Sequence, residues 1–162
     1  MTDLSVFADD FVHEAMYGPE AWFVHRLLRV DPEARVVEAE LDTAAHDALV
    51  VAQREVAGHE KHLPAASVIQ ATGTMGQLYA VYALGLRATS GWSGYGTHIR
   101  EARFHSMGIV GPPVHITLTC TRQRQMMGAW FCEFDFAFRQ ADSLVYTSKQ
   151  SAAWRRRTAE AP

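Results

Sequence analysis

The run Gly58-His59-Glu60-Lys61-His62-Leu63-Pro64 sets two imidazoles three residues apart, just before a long stretch without charge. An imidazole has an ordinary pKa close to neutrality, so His62 can accept a proton or donate a hydrogen bond to a reacting oxygen. The plainer reading is a structural histidine bonded to a backbone carbonyl. His59 is a second candidate for substrate contact. H-x-x-H is not the H-E-x-x-H spacing of a zinc protease, and Pro64 argues against a helix running through the segment, so no metal is expected. Gln70, Thr74 and Gln77 interrupt the apolar run at spacings of four and three, which places them on one helical face. Buried polar groups must find partners. These three either face a pocket and hold water or a polar substrate group, or are satisfied by backbone or by a second subunit. Ser67 and Thr72 read first as packing residues, with Ser67 kept as a candidate for substrate contact. Tyr17, in Tyr17-Gly18-Pro19, is either an acid or oxyanion donor or a surface turn residue. Arg100 and Arg103 fall on opposite sides of a strand by parity, as do His98 and Arg103. Either arginine could hold a carboxylate or a phosphate, against the plainer reading of a solvated strand face. Cys120 and Cys132 form no disulfide framework and read as buried core thiols.

The elements that must position these residues are legible in outline. Residues 4–16 place Leu4, Phe7, Ala8, Phe11 and Ala15 at helical spacing, ended by Gly18-Pro19. Residues 22–30 and 35–41 read as two strands of a hairpin around Asp31-Pro32-Glu33-Ala34, with Val37, Ala39 and Leu41 on one side. Residues 42–61 fit strand and helix equally. Residues 65–86 contain no charge and no proline and read as a helix buried on most sides, too rich in Gly, Thr, Gln and Ser to span a membrane comfortably. Ala71, Gly73, Gly76 and Ala80 keep much of its surface small, which would let a sheet come close. Residues 90–96 (SGWSGYG) read as a loop, and 97–107 as a strand with imperfect alternation. Strands follow at 114–121, 128–139 and 143–152, the last two joined by a turn at Gln140-Ala141-Asp142. Trp130, Cys132, Phe134, Phe136 and Phe138 share one parity and form the expected inner face. Met126-Met127 reads as packing at a hairpin end.

The whole chain of 162 residues fits a single domain, with a core over about 11–153 and a basic tail over 154–162 containing Arg155, Arg156 and Arg157. That tail could touch an acidic carrier protein or phosphates, or be plainly disordered. A net charge of -3 and 20% charged residues make a poor general nucleic-acid binder. No stretch is long and apolar enough for a membrane span, the first ten residues lack a secretory pattern, and a cytoplasmic location is the default. No Gly-rich phosphate loop stands in strand-loop-helix context, so no cofactor is expected. One apolar helix that a single, mostly antiparallel sheet must cover implies a sheet curled around it, an α+β hotdog architecture. The plain alternative is another α+β sandwich with the helix on one face.

The stretch GHEKHLPAASVIQATGTMGQLYAVY (58–82) carries a family resemblance. His62-Leu63-Pro64 before a charge-poor helix looks like the entry to the central helix of the 3-hydroxyacyl-carrier-protein dehydratases. It resembles more closely the FcoT-type acyl-thioesterases, also hotdogs, where a His-aromatic-Asn step precedes the helix. HIREARFHSMGIVGPPVHITLTC (98–120) is similar to that family's strand and proline break, and Tyr17 sits where the family carries a functional tyrosine. The resemblance spans roughly residues 11–150. It departs at Pro64, which replaces the asparagine, and at Gly73-Thr74, where the dehydratases carry a helix acid. The family's second tyrosine has no clear counterpart, and residues 44–61 are longer than the family's segment.

The resemblance implies an enzyme acting on a fatty or polyketide-type acyl thioester of coenzyme A or an acyl carrier protein. His62, Thr74 and Tyr17 are its expected catalytic residues. His59, Ser67, Gln70, Gln77, Arg100 and Arg103 are its expected substrate contacts, with the thioester carbonyl at the helix N-terminus. Hydrolysis is the simplest reaction. Addition of an amine such as glycine to a 2-enoyl thioester, dehydration of a 3-hydroxyacyl thioester, and acyl binding without turnover are the alternatives. An open sheet edge points to a homodimer or a dimer of dimers, with residues of both chains around each pocket.

Overall fold

The computed structural model describes residues 7–45 and 47–157. The expected N-terminal helix is a short one, α1 (Phe7–Phe11); Leu4 lies outside the described residues. Phe7 and Phe11 are both buried, one turn apart, against Trp22 at ring-centroid distances of 6.1 and 5.0 Å. After a 3-10 turn at Pro19–Ala21, Trp22 and Val24 are buried without being strand. Phe23 has φ 52, a left-handed residue that interrupts the extended run. The first strand, β1 (Arg26–Asp31), therefore starts later than the apolar pattern suggests. At the turn the Asp31 carboxylate accepts from Ala34 N at 2.8 Å, and Arg35 has φ 59. In β2 (Val36–Leu41), Val37, Ala39 and Leu41 point inward as their alternation requires.

Most of the undecided stretch is loop. It contains one turn of helix, α2 (Ala48–Val51), capped by Asp47, which accepts from Leu49 N at 2.8 Å. The long helix α3 (Ala65–Tyr82) begins after Pro64, whose missing N–H costs nothing at that position. It stops one turn before the expected end: Gly85 takes φ 69 and Leu86 N turns back to Ala80 O at 2.8 Å. Buried Val68, Ala71, Met75, Leu78 and Tyr79 fasten it to the sheet.

Four long strands follow: β3 (Trp92–Phe104), β4 (Val114–Met126), β5 (Ala129–Gln140) and β6 (Ser143–Arg156). With β1 and β2 they form one antiparallel sheet in the order β1-β2-β4-β5-β6-β3. The sheet lies around α3 and is not closed into a barrel, so the expected hotdog architecture is present. Phe134, Phe136, Phe138 and Cys132 are buried on the inner face with Trp130 packed beside them, and both cysteines are free and buried.

Three expectations about strands need correction. Residues 92–96 of the glycine-rich run are not a loop; they open β3, where Gly94 pairs with Trp154. A Cβ on Gly94 would fall 2.1 Å from Trp154 Nε1, so this glycine exists to seat an indole. Secondly, β6 carries on through Trp154 to Arg156, so the sheet does not end where the tail was expected to begin. Thirdly, β3 shifts register against β6 between Gly96 and His98 and again between Ile99 and Glu101. Each bulge inserts one residue and reverses the parity count. His98 faces Ser151 and Arg103 faces Thr147, so these two share a face of the sheet after all.

A carboxylate cluster joins α1 to the far end of α3. The Glu14 side chain is only 2% exposed. It accepts from Thr89 Oγ1 at 2.7 Å and from Arg87 at 3.2 Å. Asp10 accepts from the same arginine at 3.0 Å and from Tyr82 Oη at 2.9 Å. Burial alone would raise the Glu14 pKa, but the hydrogen bonds from Thr89 and Arg87 outweigh it and hold the carboxyl below its ordinary 4.5. A carboxylate depressed in the folded state stabilises fully above its unfolded pKa, and that contribution is lost as pH falls through the folded one. Glu14→Gln is therefore expected to cost about 2 kcal/mol at pH 7. It should also flatten the acid side of the stability profile below pH 4.5, read by chemical denaturation at stepped pH.

Candidate functional site

Gly73 and Gly76 do not bring the sheet close to α3. No atom stands within 4 Å of a Cβ built on Gly73, and only Phe134, at 3.9 Å, approaches one on Gly76. The small residues leave a void instead, a cavity of about 270 Å³ between α3 and the inner face of β5 and β6. Phe134, Phe136, Ala152 and Trp154 make its apolar wall, and Gln70, Thr74 and Gln77 its polar helical side. Met16, Tyr17 and residues 94–96 of β3 border it as well. None of its lining residues is charged.

Three candidate residues of α3 thus meet Tyr17 from the N-terminal part of the chain. Tyr17 is 55% exposed and Thr74 2% exposed, so one stands at the mouth and the other within. A further polar group was not anticipated. Gln150 donates to Thr72 Oγ1 at 3.0 Å and to Ser148 Oγ at 2.9 Å, while the Thr72 hydroxyl donates to Ile69 O at 2.6 Å. The signal for Gln150 lay in its parity with Tyr146 and Ser148, a polar residue on a strand face otherwise turned inward.

His62 is not in this cavity. It lies at the N-terminal end of α3, beside an open hollow of about 460 Å³ bordered by Ala65, Val68, Phe104, His105 and Met107. Its position is held through the backbone: His62 N donates to Gln53 Oε1 at 3.0 Å and Gln53 Nε2 donates to His62 O at 2.7 Å. The rings of His59 and His62 meet edge to face at 5.0 Å. His62 Nδ1 is buried with no hydrogen-bond partner among the described residues, which sets it apart from a histidine used to tie down a loop. Beside it, the first backbone N–H groups of α3 have no side-chain cap.

Three candidates stand elsewhere. Ser67 is wholly buried, and its hydroxyl donates to Asp47 Oδ2 at 2.5 Å, tying α3 to the cap of α2; it lines neither space. Arg103 lies on the outer face with Glu101 and Lys149, across the sheet from the cavity. Arg100 is the residue inserted by the second bulge and is exposed. Parity alone could not place either arginine, because the bulges alter the count.

No family model matches the chain, and no curated protein matches its sequence. Solved structures do resemble it. A thioesterase variant from Pseudomonas aeruginosa superposes with a TM-score of 0.63 at 9% identity, covering 97% of this chain and 96% of that one. The dehydratase heterocomplex ApeI:P from Xenorhabdus doucetiae gives 0.61 at 14% identity, with 88% of each chain covered. A sigma28-regulated virulence protein from Campylobacter jejuni, Cj0977, gives 0.62 at 8% identity, covering 98% and 91%. Thioesterase and dehydratase thus share one architecture with this chain at identities that speak for the fold alone, and by its helix, its sheet order and these likenesses the chain is a hotdog-fold protein.

Proposed function

We propose that this hotdog protein is an FcoT-like thioesterase that hydrolyses fatty or polyketide-type acyl thioesters. The observation that carries the reading is the uncharged cavity under α3. Phe134, Phe136 and Trp154 suit an alkyl chain, and Tyr17, Gln70, Thr74 and Gln77 suit a thioester, which is polar but carries no charge.

A complete site needs a second copy. Within one chain His62 and the α3 N-terminus open on one hollow, Thr74 and Tyr17 on another. The β1 edge of the sheet is short and carries Arg26–Glu40 and Arg29–Asp31 ion pairs, which discourage pairing. The outer edge of β3 is 13 residues long and unpaired among the described residues, with Tyr95, Ile99 and Phe104 exposed. The Tyr95 end of β3 borders the cavity and the Phe104 end borders the His62 hollow. Antiparallel pairing of β3 with its own copy lays one end against the other. That puts His62 of the partner subunit and its helix N-terminus opposite the mouth at Tyr17 and Thr74.

In this arrangement the acyl chain occupies the cavity and the carbonyl oxygen points to free backbone N–H groups. Those donors stabilise the negative charge that develops as water attacks. His62 takes the proton from that water and returns it to the leaving thiolate. The rival reactions find less support. Glycine addition needs a cation for the glycine carboxylate, and within one chain neither Arg100 nor Arg103 lines the cavity; dehydration needs an acid, and no lining residue of this chain is one.

The test is mass spectrometry of products from saturated and 2-enoyl thioesters, each with and without glycine. Free acid from both, unchanged by glycine, is the expected result. A product heavier by glycine from the enoyl substrate alone would replace hydrolysis with conjugate addition. No product from any substrate would leave an acyl-binding protein without turnover.

A further inference from the structure

We infer that Trp154 is a chain-length stop, a buried wall that ends the acyl cavity and closes off a second void behind it. The inference deepens the acyl-thioester reading and rests on it. Further along α3 lies another cavity of about 220 Å³, bordered by Ala80, Val81 and Leu86 on one side and Trp92 and Ser93 of β3 on the other, with Glu14 and Arg157 at its border as well. The two spaces share Met16, Gln77, Gly94 and Trp154 as lining residues, so these residues form the partition.

Of the four, Met16 is 65% exposed, Gln77 is half-buried and Gly94 has no side chain. Trp154 is the bulky buried member, at 5% exposure. Its ring meets Phe134 edge to face at 6.1 Å and lies against Gly94, where a Cβ would fall 2.1 Å from Nε1 and 2.2 Å from Cδ1. Phe134 and the Gly94 backbone hold the indole between the two spaces. A chain entering past Tyr17 and Thr74 therefore ends against it, although a further void lies beyond.

The experiment measures kcat/KM for saturated acyl-CoA thioesters from butanoyl to stearoyl, with the wild type, Trp154→Ala and Trp154→Phe. One methylene in an apolar pocket is worth roughly tenfold or more in specificity. The wild type should show a sharp fall beyond one chain length. In Trp154→Ala the fall should move to longer chains, raising the long-to-short ratio by about tenfold or more. Trp154→Phe should shift the ratio the same way by less, and it keeps the test open if the alanine variant does not fold. Turnover with an unchanged profile in the folded variants would overturn the chain stop and leave the hydrolase standing. A wild type that hydrolyses none of the series would overturn both.

Discussion

Replacing His62 with Ala is expected to lower thioester turnover by about 10²–10⁴-fold, the usual worth of a positioned general base. The fold should persist. His62 is fixed by its backbone bonds to Gln53 rather than by its ring, and Nδ1 has no described partner to lose. The circular dichroism spectrum and melting temperature should therefore stay near wild type while kcat falls. A variant with full activity would show that His62 is structural.

The same variant tests the two-chain site. If His62 of one subunit serves Thr74 of the other, a hybrid of His62→Ala and Thr74→Ala chains has one doubly altered site and one intact site. Random mixing makes half the dimers hybrid, so activity should return to about a quarter of wild type. If the site lies within one chain, each hybrid site carries one lesion and nothing returns. A monomer by light scattering would defeat the arrangement before any kinetics.

The second large effect concerns stability. Phe138→Ala should cost about 3–5 kcal/mol and lower the melting temperature on the order of 10 °C. Phe138 is wholly buried, faces Ile116 across β4 and β5, and meets Tyr146 edge to face at 5.4 Å. Truncation leaves a void between three strands that the long hydrogen-bonded ladders cannot collapse to fill. Phe138 lines neither the acyl cavity nor the His62 hollow. The remaining folded protein should thus keep its chain-length preference, separating a loss of fold from a loss of site.

Elements with strong, uninterrupted period were readable from the chain. The alternation of β5 located its inner face, and the charge-free run located α3, because burial leaves a direct mark on residue type. The start of β1 was misplaced because Phe23 adopts a left-handed backbone that no local pattern announces. The run Ser93-Gly94-Tyr95-Gly96 looked like a loop because glycine is usually a breaker; here the strand needs Gly94 for an indole sixty residues away in sequence.

Sequence by itself determined the type and order of the main elements, the α+β class and the polar residues Tyr17, Gln70, Thr74 and Gln77 that now share one cavity. These follow from residue type and near-neighbour periodicity, which a linear chain records. Tertiary structure alone decided that Gly73 and Gly76 make a void rather than a close contact, that the bulge at Arg100 puts Arg103 on the same face as His98, and that His62 and Thr74 stand apart within one chain. Those outcomes depend on what lies opposite each residue in the packed sheet. A bulge or an indole on a distant strand changes the answer without altering the local pattern.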